Sequence, residues 1–318
     1  MDKIEHKFYG INGINMHVAE VGEGPLVLFL HGFPELWYSW RHQMLFLADH
    51  GYRAVAPDLR GYGDTTCVDI GDSDKFTIHH LVGDIVHLLD TIALDHEKVF
   101  VVGHDWGAHI AWRLGLFRPD KVKALVNLSV PYFPRETNEN IVDMLRAIHG
   151  DDYYVCRFQK PGDIEGELAK IDIKTVMKSF FNTFTAGTLY LRKGEGFGGA
   201  PDGLPPWLSD FDLDYFASKF ERTGFTGGIN YFRAIAKSWE LTAPWTGAKI
   251  EVPAKFIWGD LGRAYHMIGV KYYIENGGFQ RDVPKLEEIV LIKGAAHFIQ
   301  QERVNEINKH IYDFIQKF

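Results

Sequence analysis

Cysteine is scarce in this chain, with only Cys67 and Cys156 among 318 residues. They stand far apart, which fits neither a disulfide framework nor the paired spacing of a zinc site. Positive charge is in deficit as well. The 34 Lys and Arg residues stand against 42 Asp and Glu, for a net charge of −8. A nucleic-acid binder needs a basic face, and here the basic residues are scattered. Nucleic acid is therefore not an expected partner. No apolar run approaches the roughly 20 residues of a membrane span. There is no internal repeat and no low-complexity tract. Met1 to His6 shows no basic-then-apolar leader, and the terminal Ile-Gln-Lys-Phe318 is no retention or peroxisomal address. These absences make the cytosol the expected compartment. Oligomeric state is not readable from the sequence.

What is present is globular. Hydrophobic residues make up 46% and charged residues 24%, a balance that excludes disorder. Short apolar runs alternate with amphipathic stretches. Val27–Leu30, Arg53–Ala56, Val99–Val102, Ala124–Leu128, Lys255–Trp258 and Glu288–Ile292 read as buried strands. Between Thr77 and Leu94 the apolar positions Ile78, Leu81, Val82, Ile85, Leu88, Leu89 and Ile92 follow helical spacing. Strands alternating with helices predict a mostly parallel α/β sheet with helices on both faces. The alternation lapses between about Tyr132 and Thr246. That stretch reads as short helices around 136–148, 173–184, 212–222 and 229–239, with a Gly- and Pro-rich loop over 185–206. The expected organisation is a core of residues 1–132 and 247–318 with a helical lid, 133–246, inserted into it.

The sharpest motif is Gly103-His-Asp105-Trp-Gly107, between the strand Val99–Val102 and a helical stretch. A small-x-nucleophile-x-small turn there is a nucleophile elbow, whose following helix N-terminus favours anions. Read alone, the pattern also suits an ordinary turn with Asp105 as an N-cap. His31-Gly-Phe33-Pro follows the first long strand. In such a fold that loop donates one N–H to an oxyanion hole and the residue after the nucleophile donates the other, which names Phe33 and Trp106. Gly294-Ala-Ala-His297-Phe follows the last strand, where a histidine can reach the elbow as general base. The competing reading is a surface histidine, one of 15.

These features resemble the plant-type soluble epoxide hydrolases of the α/β-hydrolase superfamily. The likeness runs nearly end to end. It includes His31-Gly-Phe-Pro-Glu-Leu-Trp-Tyr-Ser-Trp-Arg41, Ala56-Pro-Asp-Leu-Arg-Gly-Tyr-Gly63, Tyr154-Val-Cys-Arg-Phe-Gln159, Glu240-Leu-Thr-Ala-Pro-Trp245 and the motifs at Asp105 and His297. The resemblance implies an α/β-hydrolase fold with a lid and an apolar small-molecule substrate. It implies that Asp105 opens an epoxide to an alkyl ester while lid tyrosines protonate the ring oxygen. His297, held by an acid, then activates water against the ester. Phe33 and Trp106 would hold the oxyanion. Tyr154 is the first lid tyrosine by this likeness; otherwise it is a lid core aromatic. No metal or cofactor is required.

Two expected positions depart from the pattern. The second lid tyrosine is expected in Asn-aromatic-Tyr-Arg, and the chain reads Asn230-Tyr231-Phe232-Arg233. Phe232 has no hydroxyl, and Tyr231 points about 100° away on a helix. The triad acid is expected at the end of Trp-Gly-x-x-Asp, where Gly262 stands; Asp260, two residues earlier, is the substitute or simply a turn former. After the Ala124–Leu128 strand, Ser129 offers no carboxylate. Three readings follow. One is an epoxide hydrolase using Asp105, His297, Tyr154 and Asp260. Another is a repurposed cyclase, isomerase or lyase using Asp105 and His297 as an acid–base pair. The third is a low-turnover ligand-binding relative. A haloalkane dehalogenase shares the Asp elbow but adds an Asn in the first loop or a lid Trp; Phe33 occupies the loop position. His80, Asp84 and His87 have metal-like spacing and are expected on a solvated helix face. Trp37, Tyr38 and Trp40 are core aromatics or pocket lining.

Overall fold

The computed structural model describes residues 3–66, 69–94, 97–135, 140–183, 189–195, 197 and 201–318. Among them eight strands form one sheet: β1 (Glu5–Ile11), β2 (Ile14–Val21), β3 (Leu26–Leu30), β4 (Arg53–Pro57), β5 (Val99–His104), β6 (Val122–Leu128), β7 (Ala254–Gly259) and β8 (Leu286–Ile292). Their order is β1-β2-β4-β3-β5-β6-β7-β8. β3 to β8 run parallel, and β2 joins β4 antiparallel. The six strands read from the sequence are all present. The β1–β2 hairpin was not among them. β1 is an edge strand whose side chains are mostly exposed, so it carries little apolar signal.

β5 lies between β3 and β6, and all six of its residues are buried. Val, Phe and Gly suit a strand covered on both faces. The parallel strands direct their C-terminal ends to one edge, the edge at which open α/β sheets bind ligands. The loops after β3, β5, β6, β7 and β8 meet there.

Between β6 and β7 the chain leaves the sheet and forms seven α-helices among the described residues: Ile141–His149, Tyr154–Arg157, Asp163–Leu168, Ile173–Thr183, Asp210–Thr223, Thr226–Arg233 and Ile235–Leu241. Residues 136–139, where the first lid helix was expected to begin, 184, where the second was expected to end, and 185–188, 196 and 198–200 of the expected loop lie outside the described residues. So does Cys67. The insertion docks onto the core through polar contacts. Arg41 and the Tyr38 hydroxyl both reach Asp212, each at 2.9 Å. Lys219 and Arg222 pair with Asp64. Trp37 Nε1 donates to the Tyr215 hydroxyl at 2.8 Å. Trp37, Tyr38 and Trp40 are buried parts of this interface and of the core.

One expected surface feature is buried. Asp84 lies on the helix Ile78–Ile92, and Arg60 from the loop after β4 covers it with two hydrogen bonds of 2.7 Å. His80 and His87 bond instead to Thr77 and Asn12. The metal-like spacing is therefore occupied by a salt bridge, and the helix face is not solvated at Asp84. Removing one partner of a buried pair strands the other charge, which costs about 3–5 kcal/mol. Asp84→Ala is expected to lower unfolding stability by about that amount, read as a fall in the urea midpoint at unchanged slope.

Candidate active site

Asp105 sits at the turn from β5 into the helix Trp106–Phe117, with φ 51° and ψ −118°. A non-glycine residue rarely holds such angles, and the strain is of order 1–3 kcal/mol. Close packing sustains it. A Cβ on Gly107 would lie 1.9 Å from the Leu30 carbonyl oxygen, and one on Gly32 would lie 2.4 Å from the Asp105 Cβ. Both positions must be glycine for the two loops to touch. The Phe33 N–H donates to Asp105 Oδ1 at 2.8 Å, so the loop after β3 holds the carboxylate. Trp106 follows at the helix start.

His297, in the loop after β8, brings Nε2 to 3.4 Å from Asp105 Oδ2. Its backbone is fixed from two sides: Ser129 Oγ donates to its carbonyl at 2.8 Å and His104 Nε2 donates to it at 2.7 Å. His104 Nδ1 in turn lies 2.6 Å from Glu35 Oε2. The other Glu35 oxygen accepts from Gln300 at 2.8 Å and Gln301 at 3.0 Å. Burial works against both charges of the Glu35–His104 pair, yet each partner's charge prevails. His104 is raised above the ordinary imidazole value and Glu35 held below the ordinary carboxylate value. The sequence reading did not assign Glu35 or His104 a role. A glutamate inside the aromatic run Phe33–Trp40 was the available sign of a buried partner.

Burial pushes the Asp105 carboxyl up. The hydrogen bond and charge of His297, the charge of His104 and the Phe33 N–H reverse this and hold it well below the usual carboxylate range. Asp105 is thus an anion at neutral pH, as a nucleophile must be. His297 is lowered, first by burial, with the His104 and Arg263 charges adding to it against Asp105. It is a neutral base. His109, one turn along the helix, is pushed down to about 4, mainly by burial.

Above these groups lies a cavity of about 230 Å³. Asp105, Trp106, His109 and His297 face it from the core, and Tyr153, Tyr154 and Phe232 from the insertion. Tyr154 is raised by burial, while the nearby Arg263 pulls it back. Phe232 packs edge to face against Trp106, Phe33, Tyr154 and Phe158 at 5.0 to 5.7 Å.

Two expected site residues are placed elsewhere. Tyr231 is buried and donates to the Arg60 carbonyl at 2.9 Å, so it braces the insertion on the core; Phe232 occupies the cavity side of that helix. Asp260 accepts from the Gly294 N–H at 2.6 Å and lies 3.7 Å from Lys293. It tethers the β7 and β8 loops and does not reach His297. The charged residue that faces the cavity from the segment after β7, with Ala264 and Met267, is Arg263, unexpected from the sequence. Gly262 adopts φ −71° and ψ 154°, extended backbone open to any residue.

This fold and site define an α/β-hydrolase with an aspartate at its nucleophile elbow. The family model of the alpha/beta hydrolase fold matches residues 25–158. Over all of both chains the protein is 57% identical to epoxide hydrolase 2 of Siraitia grosvenorii. It is 37% identical to epoxide hydrolase A of Mycobacterium tuberculosis over 96% of this chain and 95% of the relative. The solved structure of epoxide hydrolase I from potato, Solanum tuberosum, superposes with a TM-score of 0.97 at 61% identity, covering 99% of this chain and all of the other. The chain belongs to the epoxide hydrolase family.

Glu35 supplies the prediction here. Glu35→Gln removes the charge and the Gly32 N–H contact but keeps an acceptor for both glutamines and a donor for a neutral His104. It is expected to cost about 1 kcal/mol. Glu35→Ala strands His104 and is expected to cost about 3–5 kcal/mol. Urea unfolding of both variants measures the difference; equal costs would refute the pairing.

Proposed function

We propose that the protein hydrolyses an epoxide of an apolar small molecule to a diol through an alkyl ester on Asp105, with residues 133–246 as its lid. The observation that carries the reading is the Asp105 carboxyl in contact with both the Phe33 N–H and His297 at the floor of a mostly apolar cavity. Asp105 forms a bond to a ring carbon, the ring C–O bond breaks, and its oxygen takes the Tyr154 proton. Water then adds to the ester carbonyl and gives a proton to His297, while the Phe33 and Trp106 N–H groups hold the oxyanion. The relatives' names weigh against the non-hydrolytic alternatives. The cytosol is the compartment proposed with this activity; a chain with so few cysteines suits a reducing milieu. Among the described residues no helix is long and apolar enough to cross a membrane.

The two half-reactions are unequally equipped. In the free protein Asp105 raises the basicity of His297. Once Asp105 is an ester that support is gone, while burial, His104 and Arg263 still lower it. Gly262 offers no carboxylate in its place. Water activation therefore relies on a weak base.

The decisive test is single turnover of styrene oxide in ¹⁸O-labelled water. Label is expected on Asp105 after one turnover and in diol only after several. Asp105→Asn should form neither adduct nor diol. The adduct is expected to accumulate, because loss of a triad acid costs on the order of 10⁴-fold elsewhere. Gly262→Asp should speed ester decay by at least about tenfold, and Phe232→Tyr should speed ester formation by about tenfold. Because His297 is depressed and acts as the neutral base, ester decay should be level from neutral to mildly alkaline pH. It should fall only in acid, below the ordinary imidazole range, as His297 gains its proton.

A further inference from the structure

Arg263 has so far entered only as a charge near His297, yet it is 9% exposed and faces the cavity that holds Asp105 and His297. Its Cζ lies 4.6 Å from the centroid of the Tyr154 ring. It opens a short helix directly after Gly262. A guanidinium in a mostly apolar cavity is costly, and this one lies over the phenol that must lose a proton, in a site where position 232 is a phenylalanine.

We infer that Arg263 supports Tyr154 as proton donor in place of a second phenol, and that the same charge retards ester hydrolysis by opposing the His297 imidazolium. The inference rests on the epoxide reading above. In ring opening the Tyr154 proton moves to the ring oxygen and leaves a phenolate. A cation over a neutral ring feels only the quadrupole; over a phenolate it feels a full opposite charge. The attraction grows on the way to the transition state, which is the condition for catalysis. In hydrolysis the water proton moves to His297, and there the guanidinium meets a developing like charge. From His297 one proton goes to the leaving alkoxide. The new Asp105 carboxyl returns one to the phenolate, which balances the cycle as epoxide plus water to diol. Arg263 does not touch the reacting atoms in this scheme; it is a positioning residue that acts through Tyr154 and His297.

Opposite effects on the two steps separate this role from a structural one. Rapid-quench mass spectrometry with styrene oxide follows adduct formation and decay separately. Arg263→Met is expected to slow formation about tenfold and to speed decay, and Arg263→Lys to restore both. If Arg263→Met does not fold, Arg263→Gln removes the charge at similar size and carries the same expectation. Slowing of both steps, or unchanged formation, overturns the proposal while leaving the epoxide reading intact. Absence of any adduct on wild-type Asp105 overturns the epoxide reading, and this inference with it.

Discussion

The site depends on one buried ion pair. Glu35 and His104 are fully enclosed and lie 2.6 Å apart. A single buried charge would be prohibitive, and two in contact are tolerable only when their remaining donors and acceptors are filled. Here they are filled by the loops that carry the chemistry. Glu35 accepts from the backbone before Phe33 and from the two glutamines after His297, and His104 immediately precedes Asp105. The proton that His104 gives to the His297 carbonyl closes the circuit. Three loops distant in sequence are thereby fixed to one another without using the carboxylate of the nucleophile or the ring of the base.

That arrangement separates holding the site together from running it. Asp105 can carry backbone strain because Gly32 and Gly107 let its neighbours close around it. His297 is located by its own carbonyl, through Ser129 and His104, so its ring does not need an acid partner to stay near Asp105. What an acid would add is basicity in the second step. Exchanging a carboxylate for glycine at position 262 therefore acts on rate far more than on geometry.

How much of this was legible follows from how local each signal is. The elbow, the Phe33 loop and the His297 loop were readable because each is a short string with its own backbone demand. The β1–β2 hairpin left a readable mark that was passed over. Asn12-Gly13 joins Ile11 to Ile14 with both residues at positive φ, and Ile14, Met16 and Val18 alternate behind it. Asp84 was misread because helical spacing ranks faces only against their own helix, whereas Arg60 arrives from a loop after another strand. Asp260 was misassigned for a related reason. Two residues along a tight turn reverse the direction of a side chain, and its oxygen meets the Gly294 N–H instead of the histidine. Arg263 was invisible to motif reading, which recorded a missing acid at one position without asking what charge stood at the next.

The two departures also show why a fold can keep its shape while its chemistry shifts. Gly262 sits in extended backbone, and a Cβ there would meet the Gly259 carbonyl at 3.1 Å and the Ala296 carbonyl at 3.4 Å. The space is tight and not closed, so glycine is not demanded by conformation. Phe232 fills its place among Phe33, Trp106, Tyr154 and Phe158, a ring for a ring, and only a hydroxyl is at stake. Neither position bears on the Glu35–His104 pair or on the sheet. A near-complete superposition with a potato epoxide hydrolase is compatible with both changes because backbone geometry is insensitive to them. The reaction is sensitive to both, since each governs where a proton can rest while a bond is breaking.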